Sequence, residues 1–204
     1  MKALVGLGNP GPEYERTRHN VGYLALDEII RELKPAGPRK QFRSLVYEAR
    51  RGDGRVVLVK PLTYMNLSGE AVRDMMRWYK LQPEDVMVLS DDIDLPPGAM
   101  RIRHTGGPGT HNGWRSILDA TGSEDFPRAR IGVGAPPPGW DLRDWVLSVW
   151  EKDDGAASIR EAISLAAKAG VGFVDLGIQK AMNLYNVKSK PKKDAPSAEG
   201  ADAV

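Results

Sequence analysis

KALVGL at residues 2–7 and VGYLALDEIIREL at residues 21–33 are the stretches that decide the fold. The first is a short apolar run and predicts a β-strand. In the second, apolar residues recur with helical spacing until Pro35, Gly37 and Pro38 end the pattern. A loop rich in glycine and proline separates them, so the chain begins as strand, loop and helix.

The rest of the chain continues this alternation. Residues 44–49 and 55–59 flank Gly52-Asp53-Gly54, which predicts a hairpin. Further strands are predicted over residues 85–89, 98–103 and 128–134, and helices over residues 68–81 with Ser68 as the cap, 114–120, 141–149 and 156–169. Strands alternating with helices predict a single α/β domain with helices on both sides of a central sheet, and the hairpin makes that sheet mixed.

Length and composition exclude several classes of protein. The 204 residues suffice for one domain with a core, and no apolar stretch has the length of a membrane helix. The N-terminus shows no secretory signal, so we expect a cytoplasmic protein. The absence of cysteine excludes disulfides, thiolate catalysis and Cys-based zinc sites. The change in composition after Val187 predicts one folded domain over residues 1–187 and a disordered tail over residues 188–204.

The basic residues are clustered although the net charge is only +2. The clusters are Arg39, Lys40, Arg43, Arg50, Arg51, Arg55 and Lys60, then Arg101, Arg103 and Arg115, with Arg128 and Arg130 beyond. A basic face suits a phosphate backbone. Charge alone nevertheless favours an ordinary solvated surface.

Residues 6–11, GLGNPG, match the dinucleotide fingerprint G-x-G-x-x-G after a strand. That fingerprint requires the loop to open directly into a helix whose N-terminus faces the pyrophosphate. Here Pro10 and Pro12 delay the helix, and the acidic residues at the expected distance, Asp27 and Glu28, lie within it. The pattern therefore disfavours a nicotinamide enzyme.

The three histidines are His19, His104 and His111, and their spacing does not match a zinc motif. No G-x-S-x-G nucleophile motif is present either. Histidine chemistry would thus be general-base chemistry with water. His19, at a loop-to-helix junction, could equally be a surface residue or cap. Asp91 follows a buried strand at the sheet edge where ligands bind, although a solvated turn or a DxxD-like metal site would also explain it.

Four asparagines stand in separate loops next to strand or helix ends. They are Asn9, Asn20, Asn66 and Asn112. Side-chain amides both donate and accept hydrogen bonds, so they suit the positioning of an ester carbonyl, a peptide amide or a water. One such residue would indicate only a turn or cap. Four of them indicate a polar site.

Six ordered segments together resemble the bacterial-type peptidyl-tRNA hydrolase family. They are residues 5–14 (VGLGNPGPEY), 17–22 (TRHNVG), 60–69 (KPLTYMNLSG), 91–98 (DDIDLPPG), 111–113 (HNG) and 126–134 (FPRARIGVG). The resemblance runs from the first strand to about Val187. It implies a monomeric one-domain enzyme that hydrolyses the ester bond of peptidyl-tRNA without a metal or cofactor and thereby releases tRNA for translation, including ribosome rescue.

The resemblance also implies roles for particular residues. His19 would be the general base, Asp91 would hold it in its basic form, and Asn9 would read the peptide amide. Tyr14, Tyr64, Asn66 and Asn112 would contact the substrate near the 3′ CCA end, and Arg101 and Arg130 would lie near the 5′ phosphate of the acceptor stem. A histidine that titrates near neutral pH and is oriented by a carboxylate suits this chemistry.

Two features depart from the family pattern. The loop over residues 105–110 carries Pro108 and Thr110 among its glycines, which leaves its mobility open. Asp91 is followed by Asp92 where the family commonly has glutamate. A competing hypothesis is an RNA-binding module on the same fold that has lost hydrolysis, and retention of the implied site residues argues against it.

Overall fold

The computed structural model describes residues 1–186, so the predicted tail over residues 188–204 lies outside the described residues. The strands are β1 (Lys2–Gly6), β2 (Arg39–Gln41), β3 (Ser44–Arg51), β4 (Gly54–Pro61), β5 (Val86–Asp92), β6 (Met100–Arg103) and β7 (Arg128–Gly132). The helices are α1 (Val21–Leu33), α2 (Ser68–Tyr79), α3 (Asn112–Thr121), α4 (Leu142–Val146), α5 (Ala156–Leu176) and α6 (Ile178–Tyr185).

The strands form one seven-stranded sheet in the order β2-β3-β4-β1-β5-β7-β6. Its central strands are parallel: β1 pairs with β4 and β5, and β5 pairs with β7. The outer pairs β2–β3, β3–β4 and β6–β7 are antiparallel. The predicted mixed α/β sheet is therefore confirmed, and the predicted hairpin is β3–β4.

Two apolar cores cover the two faces of the sheet. One packs α1 and α5 against one face, through residues such as Leu4, Leu58 and Ile163. The other packs α2 and α3 against the opposite face, through residues such as Val5 and Val72. The alternation of Leu4 and Val5 between the cores is the two-residue period of a strand buried on both sides.

Helix α1 has the bounds that its apolar spacing predicts. It ends at Lys34, which adopts a left-handed conformation just before Pro35. At its start Gly22 lies so close to the sheet that a Cβ would collide with the main-chain oxygens of Leu7 and Leu89. Residues 11–16 form a bend and turns, so no helix follows the glycine loop directly.

Several boundaries differ from the sequence predictions. Ser68 does not cap α2: Leu67 holds the cap position, and Ser68 is the first helical residue with a buried hydroxyl. Helix α5 runs on to Leu176, and the sequence pattern predicts neither β2 nor α6. Strand β5 extends through Asp92 because it pairs with β7 beyond the apolar run. None of the described helices has the length and apolarity needed to cross a bilayer.

The first basic cluster is largely neutralised by ion pairs. Arg39 and Arg55 pair with Glu48, Arg43 pairs with Glu70 and Asp74, Arg51 pairs with Glu32 and Asp175, and Lys60 pairs with Asp27. These pairs balance the charge locally. The hairpin face is therefore less positive than its sequence suggests.

Candidate active site

The candidate site lies at the carboxyl edge of the parallel strands. Asn9 follows β1, and Asp91 lies at the end of β5. His19 is in a short 3₁₀ turn, Arg18–Asn20, that leads into α1, and His111 precedes α3. Ligands bind at this edge in open α/β sheets because the strands end there and leave a crevice.

The His19 imidazole is bonded to the Asp91 carboxylate. Nδ1 of His19 lies 2.9 Å from Oδ1 and 3.0 Å from Oδ2 of Asp91. Both side chains are nearly buried, with 10% of His19 and 2% of Asp91 exposed. A carboxylate can only accept, so Nδ1 carries the proton and the lone pair of the neutral ring is on Nε2. His19 lines the cleft, and Nε2 is the nitrogen left to take up a proton there.

His111 shares the same carboxylate. Its Nε2 lies 2.9 Å from Oδ1 of Asp91, and its ring centroid lies 4.9 Å from that of His19. At the other side of the ring, Nδ1 accepts from the main-chain N–H groups of Gly113 (3.1 Å) and Trp114 (3.4 Å), which begin α3. His111 is therefore both the cap of α3 and a donor to Asp91.

The His19–Asp91–His111 cluster is the one group of possible metal ligands found among the described residues. The hydrogen bonds do not suit a metal. Because Nδ1 of His111 accepts two N–H groups, its proton must be on Nε2, the nitrogen that faces Asp91. A protonated nitrogen has no lone pair for a metal. The donor set thus fits hydrogen bonding better than coordination.

The contact between His19 and Asp91 shifts the pKa of both groups. Burial alone lowers the pKa of His19, but the charge of Asp91 and its hydrogen bond outweigh burial and raise the pKa above its ordinary value. Burial alone raises the pKa of Asp91, but the two imidazoles hold it well below its ordinary range. Asp91 is therefore a carboxylate at neutral pH, and His19 is a stronger base than a free histidine.

Asn9 is held in one orientation by its neighbours. Its main-chain N–H donates to Oδ1 of Asn20 at 2.9 Å, and Nδ2 of Asn20 donates back to the Asn9 carbonyl at 2.9 Å. Its side-chain Oδ1 accepts from the main-chain N–H of Met65 at 2.8 Å. The Asn9 acceptor is thus occupied, and its Nδ2 group remains as a donor at the cleft.

These side chains line a cavity of about 900 Å³. The sequence-predicted residues on its wall are Asn9, Tyr14, His19, Tyr64, Asn66, Asp91, Asn112 and Arg130. Arg101 is not part of the lining, whereas Arg103 and Arg128 are. The structure therefore brings all but one of the predicted site residues to one cavity, which is of the size that small-ligand sites have.

The arginines come from the antiparallel pair β6–β7. Arg101 is paired in register with Arg130, and Arg103 with Arg128, so all four start from one face of the sheet. Arg130 forms ion pairs with Asp92 and Asp94. This face places positive charge at one end of the cavity.

Arg128 is nearly buried and braces the loop over residues 105–110. Its guanidinium lies 3.7 Å from the ring centroid of Trp114 and donates to the carbonyl of Gly107 at 3.0 Å. Burial, together with the nearby charge of Arg130, lowers the pKa of Arg128 to about 10. The main-chain N–H of His111 also donates to Pro108 at 3.2 Å. The loop that carries Pro108 is thus tied to the cavity wall.

Sequence reasoning did not assign roles to His111, Arg103 or Arg128. His111 stands next to Asn112 in one of the six segments, which was the available signal. Its contact with Asp91 joins residues 20 positions apart through the packing of α3 on β5, and sequence spacing does not encode that contact.

Comparisons with known proteins point to one family. The model of the family described as "Peptidyl-tRNA hydrolase" matches residues 3–194. A peptidyl-tRNA hydrolase of Symbiobacterium thermophilum is 47% identical over 91% of this chain and 98% of its own length. One from Aquifex aeolicus is 43% identical over 91% of this chain and 96% of its own length. The crystal structure of the Acinetobacter baumannii peptidyl-tRNA hydrolase superposes with a TM-score of 0.85 at 31% identity, covering 91% of this chain and 94% of that one.

Proposed function

The chain belongs to the peptidyl-tRNA hydrolase family, and on that premise we propose that it hydrolyses the ester between a peptide and the 3′ end of tRNA with His19 as the general base. The observation that carries this proposal is the bond from His19 Nδ1 to Asp91, which leaves Nε2 to the cavity. Released tRNA would return to translation, including after ribosome rescue. We place the activity in a monomer in the cytoplasm.

In this reaction one group, the imidazole of His19, carries out both proton transfers. Nε2 of His19 takes a proton from a water whose oxygen attacks the ester carbonyl carbon. The tetrahedral intermediate then collapses, the bond to the ribose oxygen breaks, and the imidazolium returns its proton to that oxygen. The products are a peptide carboxylic acid and tRNA with a free 3′-terminal hydroxyl. Asp91 stabilises the imidazolium between the two proton transfers, which is the role of the carboxylate in a triad.

His111 supports the same step through Asp91. Its Nε2–H donates to Oδ1 of the carboxylate, while the main chain of α3 fixes its ring. A carboxylate held from two sides cannot rotate freely away from His19. This geometry preorganises the pair, which lowers the reorganisation needed when the imidazolium forms.

Asn9 suits recognition of the blocked amine. Because its Oδ1 is occupied by Met65, Asn9 offers an N–H group and would bind a carbonyl oxygen of the peptide. A blocked aminoacyl group has such a carbonyl, and a free aminoacyl group lacks it. We therefore assign the preference for peptidyl-tRNA over free aminoacyl-tRNA to this donor.

The remaining lining residues suit the rest of the substrate. Tyr14, Tyr64, Asn66 and Asn112 would contact the 3′ CCA end, because aromatic faces and amides stack on and hydrogen-bond to unpaired bases. Arg101 and Arg130 would meet the 5′ phosphate of the acceptor stem, with Arg103 beside them. The reaction as proposed uses no metal, which the protonated Nε2 of His111 supports.

The test is turnover of N-acetyl-aminoacyl-tRNA by the wild type and by His19→Ala. We expect His19→Ala to lose about 10²–10⁴-fold in turnover while retaining the fold, because a positioned general base contributes that much. His104→Ala is the matched control, since His104 is exposed and does not line the cavity. Binding of tRNA without turnover by the wild type would favour the RNA-binding module, and normal turnover by His19→Ala would exclude the mechanism.

A further inference from the structure

One wall of the cavity buries few of its own side chains. Asp141, Leu142, Arg143, Val146 and Leu147 line the cavity, and we call residues 141–147 the α4 wall. Within helix α4 only Val146 is buried. A five-residue helix with one buried side chain has few apolar contacts to hold its position, so other interactions must fix it.

Arg18, the residue before His19, supplies those interactions. Its side chain is 2% exposed, and its guanidinium lies 3.5 Å from the ring centroid of Trp145 on α4. The same guanidinium donates to Oγ of Ser148 at 2.5 Å and forms an ion pair with Asp153. A single side chain from the turn that carries the base thus contacts α4 and the segment after it.

The main chain joins the two segments as well. The N–H of Arg18 donates to the carbonyl of Ser148 at 3.2 Å, and Thr17 forms an antiparallel bridge with Val149. The far side of the wall is tied to the end of β7, since Nε1 of Trp145 donates to the carbonyl of Gly134 at 2.8 Å. Trp145 therefore lies between two attachments, one to the sheet and one to Arg18.

We infer that Arg18 is a positioning residue that fixes the α4 wall beside His19, so that the wall is held in place to bind the substrate. This inference rests on the proposed function. Lysine cannot replace arginine here, because only a planar guanidinium can stack on Trp145 and donate in its plane to Ser148 and Asp153.

The inference predicts a defect in binding more than in chemistry. His19 remains held by Asp91 on β5, which Arg18 does not contact. Loosening the wall removes contacts that substrate and transition state share, which raises KM and leaves kcat nearly unchanged. For Arg18→Lys we expect KM for N-acetyl-phenylalanyl-tRNA to rise about 10-fold, or about 1.4 kcal/mol. We expect kcat within about 3-fold of the wild type and an unshifted acidic limb of its pH profile.

Three further variants define the test. Trp145→Leu removes the stacking face and should raise KM in the same way. The double variant should raise KM by less than the product of the two single effects, because both changes remove the contact between Arg18 and Trp145. Arg16→Lys is the matched control: Arg16 pairs with Glu151 across the same two segments, but its side chain is 72% exposed, and such pairs contribute little.

Hydrogen exchange gives a readout that does not require turnover. The amides of residues 142–148 should exchange faster in Arg18→Lys than in the wild type, and at wild-type rates in Arg16→Lys. If Arg18→Lys does not fold cooperatively, Ser148→Ala, which removes one acceptor of the guanidinium, should show the same changes at smaller size.

The outcomes separate this inference from the proposed function. Absence of turnover in the wild type contradicts the proposed function, while the exchange experiment still tests the wall. If Arg18→Lys has the KM and the exchange rates of the wild type, the inference is wrong. The same holds for Ser148→Ala if Arg18→Lys does not fold cooperatively. A fall in kcat with a shifted acidic limb at constant KM would also overturn it, because Arg18 would then act on His19 itself.

Discussion

At the scale of single residues, Asp91 serves two imidazoles with one carboxylate. It accepts from Nδ1 of His19 and from Nε2 of His111, each at 2.9 Å, and its side chain is 2% exposed. A buried carboxylate is costly unless it is hydrogen-bonded and close to positive charge. The two rings supply those hydrogen bonds, His19 adds a positive charge when it is protonated, and in return the charge of Asp91 makes His19 more basic.

Replacing Asp91 by asparagine tests this coupling. The base acts only when neutral, so the rate rises with pH through the pKa of His19, which Asp91 holds above its ordinary value. Removing the charge lowers that pKa and should shift the acidic limb of the kcat profile to lower pH. Turnover at neutral pH should fall, but less than in His19→Ala. The measurement is a pH–rate profile of Asp91→Asn, with the exposed Asp125→Asn as its control.

An acidic limb at the wild-type position in Asp91→Asn would contradict this account. The limb would then report a group other than His19, or a His19 whose basicity does not depend on the carboxylate.

At the scale of elements, the start of α1 places the base over the sheet. Gly22 lies against the end of β1 and the middle of β5, where a side chain would meet the carbonyls of Leu7 and Leu89. The N–H of Tyr23 donates to that Leu7 carbonyl at 3.1 Å. This close approach brings the turn that carries His19 down to Asp91 on β5.

We expect Gly22→Ala to damage both stability and turnover. The added Cβ meets main-chain atoms that cannot move aside, and overpacking of this kind costs about 1–3 kcal/mol. The same displacement lengthens the His19–Asp91 bond and lowers kcat. Chemical denaturation and steady-state kinetics measure the two effects.

Gly37→Ala is the control for that variant. Gly37 is exposed and its Cβ would meet no atom within 4 Å, so stability should stay within about 1 kcal/mol of the wild type. Equal stability of Gly22→Ala and Gly37→Ala would show that α1 can shift without cost.

At the scale of the whole molecule, charge is distributed unevenly between the β3–β4 hairpin and the β6–β7 pair. The basic residues of the β3–β4 hairpin are largely matched by carboxylates. On β6 and β7, Arg101, Arg103, Arg128 and Arg130 start from one face beside the cavity. Arg130 is held by Asp92 and Asp94, and a phosphate would compete with these carboxylates for it. The β6–β7 face is thus the better candidate for a nucleic-acid phosphate.

We expect Arg101→Ala combined with Arg130→Ala to erase a preference for 5′-phosphorylated over dephosphorylated substrates. Hydrolysis of small esters that lack the tRNA body should be unaffected. Each phosphate contact contributes to salt dependence, so the double variant should also lose affinity less steeply as salt rises. The measurement is kcat/KM for both forms of an N-acetyl-aminoacyl minihelix across a salt series.

Arg31→Ala combined with Lys34→Ala removes the same charge from the far end of α1 and is the control. If both double variants keep the wild-type preference, the arginines of β6 and β7 do not bind the terminal phosphate. A variant with Arg103→Ala then tests whether this arginine, which also lines the cavity, takes that role.

The sequence by itself determined the local elements and the family. The bounds of α1, the hairpin and the strand before Asp91 follow from periodicity and turn residues, which act over a few positions. It also indicated His19, Asp91 and the asparagines, because their motifs are local. Ser68 was misassigned as a cap because capping depends on where the preceding turn ends, and that is set by packing.

Only the tertiary structure decided how these residues meet. His19 and Asp91 are 72 positions apart, and Arg18 and Asp153 are 135 apart. Their contacts exist because parallel strands end at a common edge and α1 packs closely against it. The sharing of Asp91 by His111, and the hold of Arg18 on the α4 wall, arise from the same long-range packing. Periodicity encodes which face of an element is buried, but not which distant side chain it will face.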